Sequence, residues 1–323
     1  MERDPSRMLL PPLAGSGLAP EPVSVRPPSE AHSVLLRVTR GCAWNRCTYC
    51  GLYRDVPSSQ RSVEEITQDL ALLALQQRQP VRTVFLGDGD ALELDTASLE
   101  AVLHQVRACF PAVERITAYA TALSVQAKSD GELRRLRQAG LQRLHIGLES
   151  GDDTILRDVL KGVSAAEMIE AGQRVRAAGI ELSFYVMLGL GGIERWQAHV
   201  QGTARVLNRV DPEWIRLRTL AYDPRAPLFS RLDARAGRFV LKLPQGRYRE
   251  VQTPLGLLHE LHALLQQLTE AHGIIVADHH TNPLADFAGK LPEARARLLR
   301  QVEARMAEVA AGRVRLPRLP SYL

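Results

Sequence analysis

Three of the four cysteines share one short stretch, Arg40-Gly41-Cys42-Ala43-Trp44-Asn45-Arg46-Cys47-Thr48-Tyr49-Cys50, and the fourth, Cys109, lies far downstream. In a chain of 323 residues a crowded triplet of this kind ligates metal or does chemistry rather than forming a disulfide framework. The C-x4-C-x2-C spacing brings three thiolates to one centre. A 4Fe-4S cubane needs four ligands, so three cysteines leave one iron for an external ligand, and that iron is where reactivity resides. The competing reading is zinc, which closes with four Cys or His ligands. His32 or Cys109 can supply the fourth ligand, although zinc sites more often use two separated pairs.

Further chemistry-bearing residues follow short apolar runs. These are Gly87-Asp88-Gly89-Asp90-Ala91, Gly147-Leu148-Glu149-Ser150-Gly151, Met187-Leu188-Gly189-Leu190-Gly191-Gly192 and the stretch from Arg218 to Tyr222. Taken singly, each reads as a tight or acidic turn in water. Their recurrence after successive runs is the stronger signal, because α/β folds place ligands at the carboxyl ends of parallel strands. Asp278-His279-His280 resembles a metal or acid-base site. Adjacent residues of an extended chain face opposite ways, however, and a third ligand is still needed, so the segment reads as a surface turn. Cys109 ends a helical pattern with Leu99, Leu103 and Val106 and reads as a buried or half-buried thiol.

The elements that must position these residues alternate. Six β-rich runs, Ser33–Thr39, Thr83–Leu86, Arg115–Ala120, Arg143–Gly147, Glu181–Leu188 and Trp214–Leu220, are each followed by a polar tip and then an amphipathic helical pattern. Ser62 with Glu65, Ser129 with Glu132 and Ser164 with Glu167 match capping boxes, and Gly140 and Gly179 stand where helices close in a left-handed residue. Val63, Ile66, Leu70 and Leu73 keep the helical period. This alternation predicts a parallel sheet, either doubly wound or an incomplete barrel. After the sixth run, Thr253-Pro254 opens a long helix to about Ala271. The apolar run Gly273–Ala277 and an Ala/Arg-rich helix from about Pro292 complete an accessory C-terminal segment. The predicted organisation is a Pro-rich arm at 1–30, expected to be mobile or draped on the surface, a core at 31–245 and a mainly helical segment at 246–323.

Composition is that of a globular protein, with 45% hydrophobic and 24% charged residues. No long apolar run marks a membrane span and no compact apolar stretch marks a signal peptide, so the expected location is cytoplasmic, without a membrane partner. The net charge of +5 raises RNA as a partner. With four lysines, 41 basic residues leave 37 arginines (41 − 4), and these are scattered, which reads as a solvated basic surface.

The cysteine loop resembles that of the radical S-adenosylmethionine (SAM) superfamily, in the subset written RGCxWNRCxxC. Four residues rather than the commoner three separate the first two cysteines. The resemblance covers about residues 33 to 225 and implies a partial (β/α)6 TIM-like barrel with a helical C-terminal extension. It implies a 4Fe-4S cluster on Cys42, Cys47 and Cys50, and SAM near Tyr49, near Asp88, Gly89 and Asp90 (similar to the family's Gly-Gly-Glu-Pro segment), near Glu149 for the ribose hydroxyls, and near Gly189, Gly191 and Arg218 around the adenine. It implies an external one-electron reductant of the flavodoxin or ferredoxin class and reductive cleavage of SAM to a 5'-deoxyadenosyl radical. The substrate stays unassigned. The alternatives are a noncatalytic iron-sulfur or zinc-binding protein and an RNA-binding module.

Overall fold

A computed structural model describes residues 25–321, apart from 231, 236, 237 and 285. Most of the Pro-rich arm expected at 1–30 therefore lies outside the described residues. Its end is not draped on the surface as expected. Arg26 and Glu30 are buried, because Ser33 Oγ donates to Glu30 Oε2 at 2.6 Å and Arg115 approaches the same carboxylate at 3.3 Å.

The six expected strands all form: β1 (Val34–Arg37), β2 (Thr83–Gly87), β3 (Arg115–Ala120), β4 (Leu141–Glu149), β5 (Glu181–Leu188) and β6 (Trp214–Thr219). Two more come from the segment read as mainly helical, β7 (Ile274–Ala277) and β8 (Phe287–Lys290). The eight strands make one sheet in chain order. β7 runs parallel to β6, and β8 returns antiparallel to β7. The C-terminal segment thus adds a seventh parallel strand. A four-residue strand behind a long insertion shows too little pattern to be counted from sequence.

The chain forms two compact units. The first comprises the described residues up to Asn45, with Asp55–His145 and Ala178–Ile180. Here β1, β2 and β3 pair in parallel, with Leu36 opposite Leu86 and Phe85 opposite Thr117. Helix Val63–Gln76 buries Ile66 and Leu70, and helix Thr96–Cys109 buries Leu99, Val102, Leu103 and Val106. Both capping boxes expected in this unit are made, Ser62 with Glu65 and Ser129 with Glu132. Gly140 and Gly179 have φ of +122° and +78°, which only glycine adopts without strain. Cys109 is exposed rather than buried, since it is the last residue of its helix and falls off the apolar stripe.

The second unit comprises Arg46–Arg54, Ile146–Ala177 and the described residues from Glu181 onward. Its strands β5, β6 and β7 are parallel. Helices Ala165–Ala177, Gly192–Val210 and Pro254–Gln267 bury Met168, Val206 and Leu261 among others. Ser164 and Glu167 exchange backbone and side-chain bonds as a capping box requires. A small antiparallel sheet, Asp233–Arg235, Arg238–Lys242 and Tyr248–Glu250, fills the insertion after β6.

The arginines are less solvated than their scatter implies. Arg37, Arg61, Arg143, Arg216 and Arg249 are buried, and Arg249 is bonded to the fully buried Asp158 at 2.6 Å. A small part of the positive charge is therefore internal framework.

Candidate active site

In the first unit the Gly87–Ala91 turn grips the peptide that precedes Cys42. Asp88 is fully buried; its carboxylate accepts the Gly41 N–H at 3.2 Å and meets Arg37 Nε at 3.1 Å. Gly89 N–H donates to Gly41 O at 3.0 Å. A Cβ on Gly89 would lie 2.6 Å from Gly41 O and 3.0 Å from Cys42 Cβ, so only glycine fits. Gly89→Ala is expected to displace Cys42 and to lower iron loading severalfold with little change in circular dichroism; unchanged iron content would contradict this.

Asp90 faces inward. Its Oδ1 accepts Leu92 N–H at 3.0 Å, and its Oδ2 accepts Thr121 N–H and Oγ1–H at 2.9 and 2.8 Å. Burial pushes its carboxyl up to about 7 against these bonds. It also lines a cavity of about 300 Å³ with Thr39, Gly41, Ala43, Gln60 and Glu93.

Cys42 belongs to the first unit, Cys47 and Cys50 to the second. None of the three is in a disulfide, and all are half-buried. Asn45 N–H points to Cys42 Sγ at 3.5 Å. In the second unit the cysteine turn is fixed through its backbone: Cys50 N–H donates to Cys47 O at 3.2 Å, Arg54 Nε–H to Cys50 O at 3.0 Å and Arg54 Nη2–H to Cys47 O. Thr48 N–H reaches Val159 O at 2.9 Å, and Leu228 N–H reaches Thr48 O at 2.8 Å. Among the described residues no three His, Cys, Asp or Glu side chains are gathered at metal-holding distance. The donor chemistry nonetheless suits iron-sulfur ligation: Cys47 and Cys50 are thiols on a turn whose carbonyls Arg54 engages, and a glycine packs close beside the Cys42 side chain.

Tyr49, between the last two cysteines, meets Glu149 at the β4 end and Lys161, which lies beyond the next helix. Lys161 Nζ lies 3.4 Å from Tyr49 Oη and 3.3 Å from Glu149 Oε1. Burial raises the Tyr49 hydroxyl well above its ordinary value, and Glu149 and the two cysteines add to the rise. Glu149 sits at φ +63°, and Gly147 leaves the space its carboxylate folds back into, since a Cβ there would lie 2.1 Å from Oε1. Sequence reasoning missed Lys161. Its only signal was rarity, as one of four lysines among 41 basic residues.

The Gly189 turn has φ +82°, and a Cβ there would lie 2.8 Å from Leu257 Cδ2. Its N–H donates to Glu260 Oε1 at 2.8 Å. The same oxygen is 3.4 Å from His199 Nε2, and His199 Nδ1 bonds Ser150 Oγ at 2.8 Å. A buried chain thus ties the glycine turn to the residue after Glu149. Burial pushes Glu260 up to about 8 and His199 down to about 4, so the two meet uncharged at neutral pH. Sequence reasoning passed over both. The available signal was an ionisable group on an apolar helix stripe, Glu260 between Leu257 and Leu264.

These shifts set a pH dependence. The unfolded chain releases the Glu260 and Asp90 protons near 4.5 and 3.8, whereas the folded chain keeps them to about 8 and 7. The folded state therefore binds more protons across that window, and stability falls as pH rises through it. His199, lowered from 6.5 to about 4, acts oppositely below 6.5. Between pH 6.5 and 8 the acids dominate, and Glu260→Gln is expected to flatten the decline in urea midpoint. An unchanged slope would contradict the assignment.

The remaining expected site residues lie in the turn after β5 and on β6. Gly191 packs so that a Cβ would meet Arg195 O at 2.9 Å. Arg218 lies over the Tyr185 ring at 4.7 Å, and its Nη1 is 2.7 Å from Asp278 Oδ1. Asp278-His279-His280 is therefore no ordinary surface turn. It leaves the carboxyl end of β7, and Asp278 is bridged to both Arg216 and Arg218, because a strand sits where the sequence showed only an apolar run. Asn282 stitches it further, with Nδ2–H donating to Leu217 O at 3.0 Å.

Residues 36–200, just over half of the chain, match the profile described as the Radical SAM superfamily. Heme chaperone HemW of Bacillus subtilis (strain 168) is 22% identical over 247 residues, 75% of this chain and 60% of that protein. The Bos taurus protein called Radical S-adenosyl methionine domain-containing protein 1, mitochondrial, is 30% identical over 180 residues, 50% of this chain and 38% of its own. The chain thus spans 60% or less of the length of these relatives. Among solved structures, coproporphyrinogen III oxidase (HemN) from Escherichia coli, described as a radical SAM enzyme, gives a TM-score of 0.54 at 18% identity over 73% of this chain and 52% of that one. The radical SAM methyltransferase TsrM from Kitasatospora setae gives 0.55 at 14% identity over 87% and 61%. At these identities the likeness is one of fold. No helix among the described residues is long and apolar enough to cross a membrane.

Proposed function

Because the chain belongs to the radical SAM superfamily, we propose that it is an enzyme that cleaves SAM reductively and acts on an organic substrate through the resulting radical. The observation that carries this reading is the junction at Tyr49, where the cysteine turn meets the Glu149–Lys161 pair. A 4Fe-4S cluster held by Cys42, Cys47 and Cys50, reduced by an external flavodoxin- or ferredoxin-class protein, would supply the electron that splits SAM into methionine and a 5'-deoxyadenosyl radical.

The chain's own residues bind and orient. Glu149, aimed by Gly147 and held by Lys161, is a carboxylate suited to accept two ribose hydroxyls. The Gly189 turn, fixed by Glu260, offers a side-chain-free surface to a flat base. Asp88 and Gly89 act on Cys42 through the Gly41 peptide. Asp90 shapes the adjoining cavity. Equilibrium dialysis of labelled SAM against cluster-loaded protein tests the arrangement. Retention is expected to need bound iron and to weaken about tenfold in Glu149→Ala, the scale of one charge-assisted hydrogen bond. Equal retention without iron would defeat it.

The HemW match favours a second reading, heme carriage without SAM turnover. Stoichiometric hemin binding by cluster-loaded protein that yields no 5'-deoxyadenosine would establish that alternative.

A further inference from the structure

The arginines are scattered along the chain, but the net charge is not. Residues 290–323 hold eight basic against three acidic side chains, a surplus of five that equals the formal net charge of the whole protein. Residues 1–289 therefore balance, with 33 basic (41 − 8) against 33 acidic (36 − 3). The surplus lies within the second unit, on Lys290 at the end of β8, on helix Arg295–Ala310 and on the tail that follows.

The three acids do little to offset it. Glu308 is taken by Arg305 at 3.1 Å, and Glu303 by His262 Nε2 at 3.1 Å. Arg318 alone bridges to a carboxylate outside the segment, Glu250. Arg295 donates to Leu268 O, and Arg297 to Ala288 O at 2.6 Å and Gln301 Oε1 at 3.2 Å, all uncharged acceptors. Lys290, Arg297, Arg300, Arg313 and Arg315 are exposed, and among the described residues none of the five meets a carboxylate.

Their placement is extended. Helix Arg295–Ala310 buries Leu298 and Val302 and leaves Arg297, Arg300, Ala304 and Ala307 exposed, a spacing of three and four that puts them on one face. At 1.5 Å per residue the helix end lies about 20 Å from Arg297. There Arg313 N–H closes on Glu308 O at 2.9 Å, and Arg318 ties the tail to Val251 O at 3.0 Å, so Arg313 and Arg315 stand on anchored chain. Cations strung over such a length, with alanines between them, suit a polyanion rather than one small anion. No large apolar residue is exposed from Lys290 to Ser321 for a bilayer to take up. Nor does this stretch contain an aromatic side chain, the anchor that protein interfaces favour and that single nucleic-acid strands stack on. A phosphate backbone needs neither, and guanidinium forks meet phosphates through paired bonds.

We propose that helix Arg295–Ala310 and its tail form a docking face for the sugar-phosphate backbone of a double-stranded nucleic acid, a base-paired region of RNA or a DNA duplex. Such a face reads charge and shape and leaves the base sequence unread. Docking here requires no SAM cleavage.

The test is fluorescence anisotropy of a labelled duplex of about 20 base pairs, made as RNA and as DNA and titrated with the full-length, cluster-loaded protein over a range of salt. Binding is expected in the range of about 1–100 μM near physiological salt, with log K falling against log salt at a slope of about −3 to −4, the counterion release of four phosphate contacts. Changing Arg300→Gln, Arg313→Gln and Arg315→Gln together is expected to bring the slope to about −1 and to weaken binding about tenfold or more, whereas lysine at the same three positions keeps the slope. The control pair Arg78→Gln with Arg134→Gln, exposed arginines of the first unit, is expected to change neither. A preference for RNA or for DNA names the source of the backbone, and equal binding assigns the backbone as such. Absent or salt-insensitive binding, tighter binding of the single strand, an undiminished slope in the folded triple variant or an equal loss in the control pair would overturn the proposal. Polyglutamate of matched charge displacing the duplex equally well would also overturn it, and would give the face to an acidic protein.

Discussion

Replacing Cys42, Cys47 or Cys50 by alanine is expected to abolish assembly of a four-iron cluster, whereas Cys109→Ala leaves it at the unaltered level. The contrast follows from position. The three share one loop and are half-buried, while Cys109 is exposed at the end of helix Thr96–Cys109. Two thiolates cannot cap three irons, so each single loss removes the cubane rather than weakening it in proportion. The measurement is iron and acid-labile sulfide per chain after anaerobic reconstitution, with zinc determined in the same samples. Full iron content in any of the three variants would reassign the ligands, and stoichiometric zinc in the unaltered protein would replace the cluster by a brace.

The second large effect is structural and lies beside Glu149. Alanine in place of a helical glycine ordinarily stabilises by about 1 kcal/mol. At Gly202, inside helix Gly192–Val210, the new Cβ would lie 2.3 Å from Gly151 O and 2.5 Å from Gly151 C. Backbone cannot step aside as a side chain can, so overpacking of about 1–3 kcal/mol or more outweighs the helical gain. Gly202→Ala is therefore expected to lower the thermal midpoint by several degrees, about 2–4 °C per kcal/mol at this size. It should also weaken SAM binding, because Gly151 follows Glu149 by two residues and its N–H is held by Thr203 Oγ1 at 3.0 Å. Gly131→Ala is the control: its nearest neighbour would be Ser129 Oγ at 3.8 Å, and a small stabilisation is expected. Equal effects at the two glycines would refute the close-approach argument.

What could be read from sequence divides along a physical line. Local signals were legible: the capping boxes at Ser62, Ser129 and Ser164, the positive-φ glycines at 140 and 179, and strand runs whose tips carry Asp88, Glu149 and Gly189. Each depends on neighbours within a few positions. Long-range pairing was not legible. Nothing near Asp278 announces Arg216, 62 positions earlier, and nothing near Gly189 announces Glu260. Nor could sequence tell that Asp88 turns to Arg37 and the Gly41 peptide while Asp90 turns to Thr121, since two acids flanking a glycine look alike until the backbone is placed. β7 failed for a related reason: four apolar residues become a strand only when Trp214–Arg216 stand beside them.

The central claim is that the cysteine loop and the Tyr49–Glu149–Lys161 junction serve SAM cleavage. Its most direct test is anaerobic incubation of the iron-loaded protein with dithionite and SAM, followed by quantitation of 5'-deoxyadenosine and methionine. The account predicts both products in equal amounts, lost in Cys47→Ala. Iron-loaded, reducible protein that leaves SAM intact would contradict it.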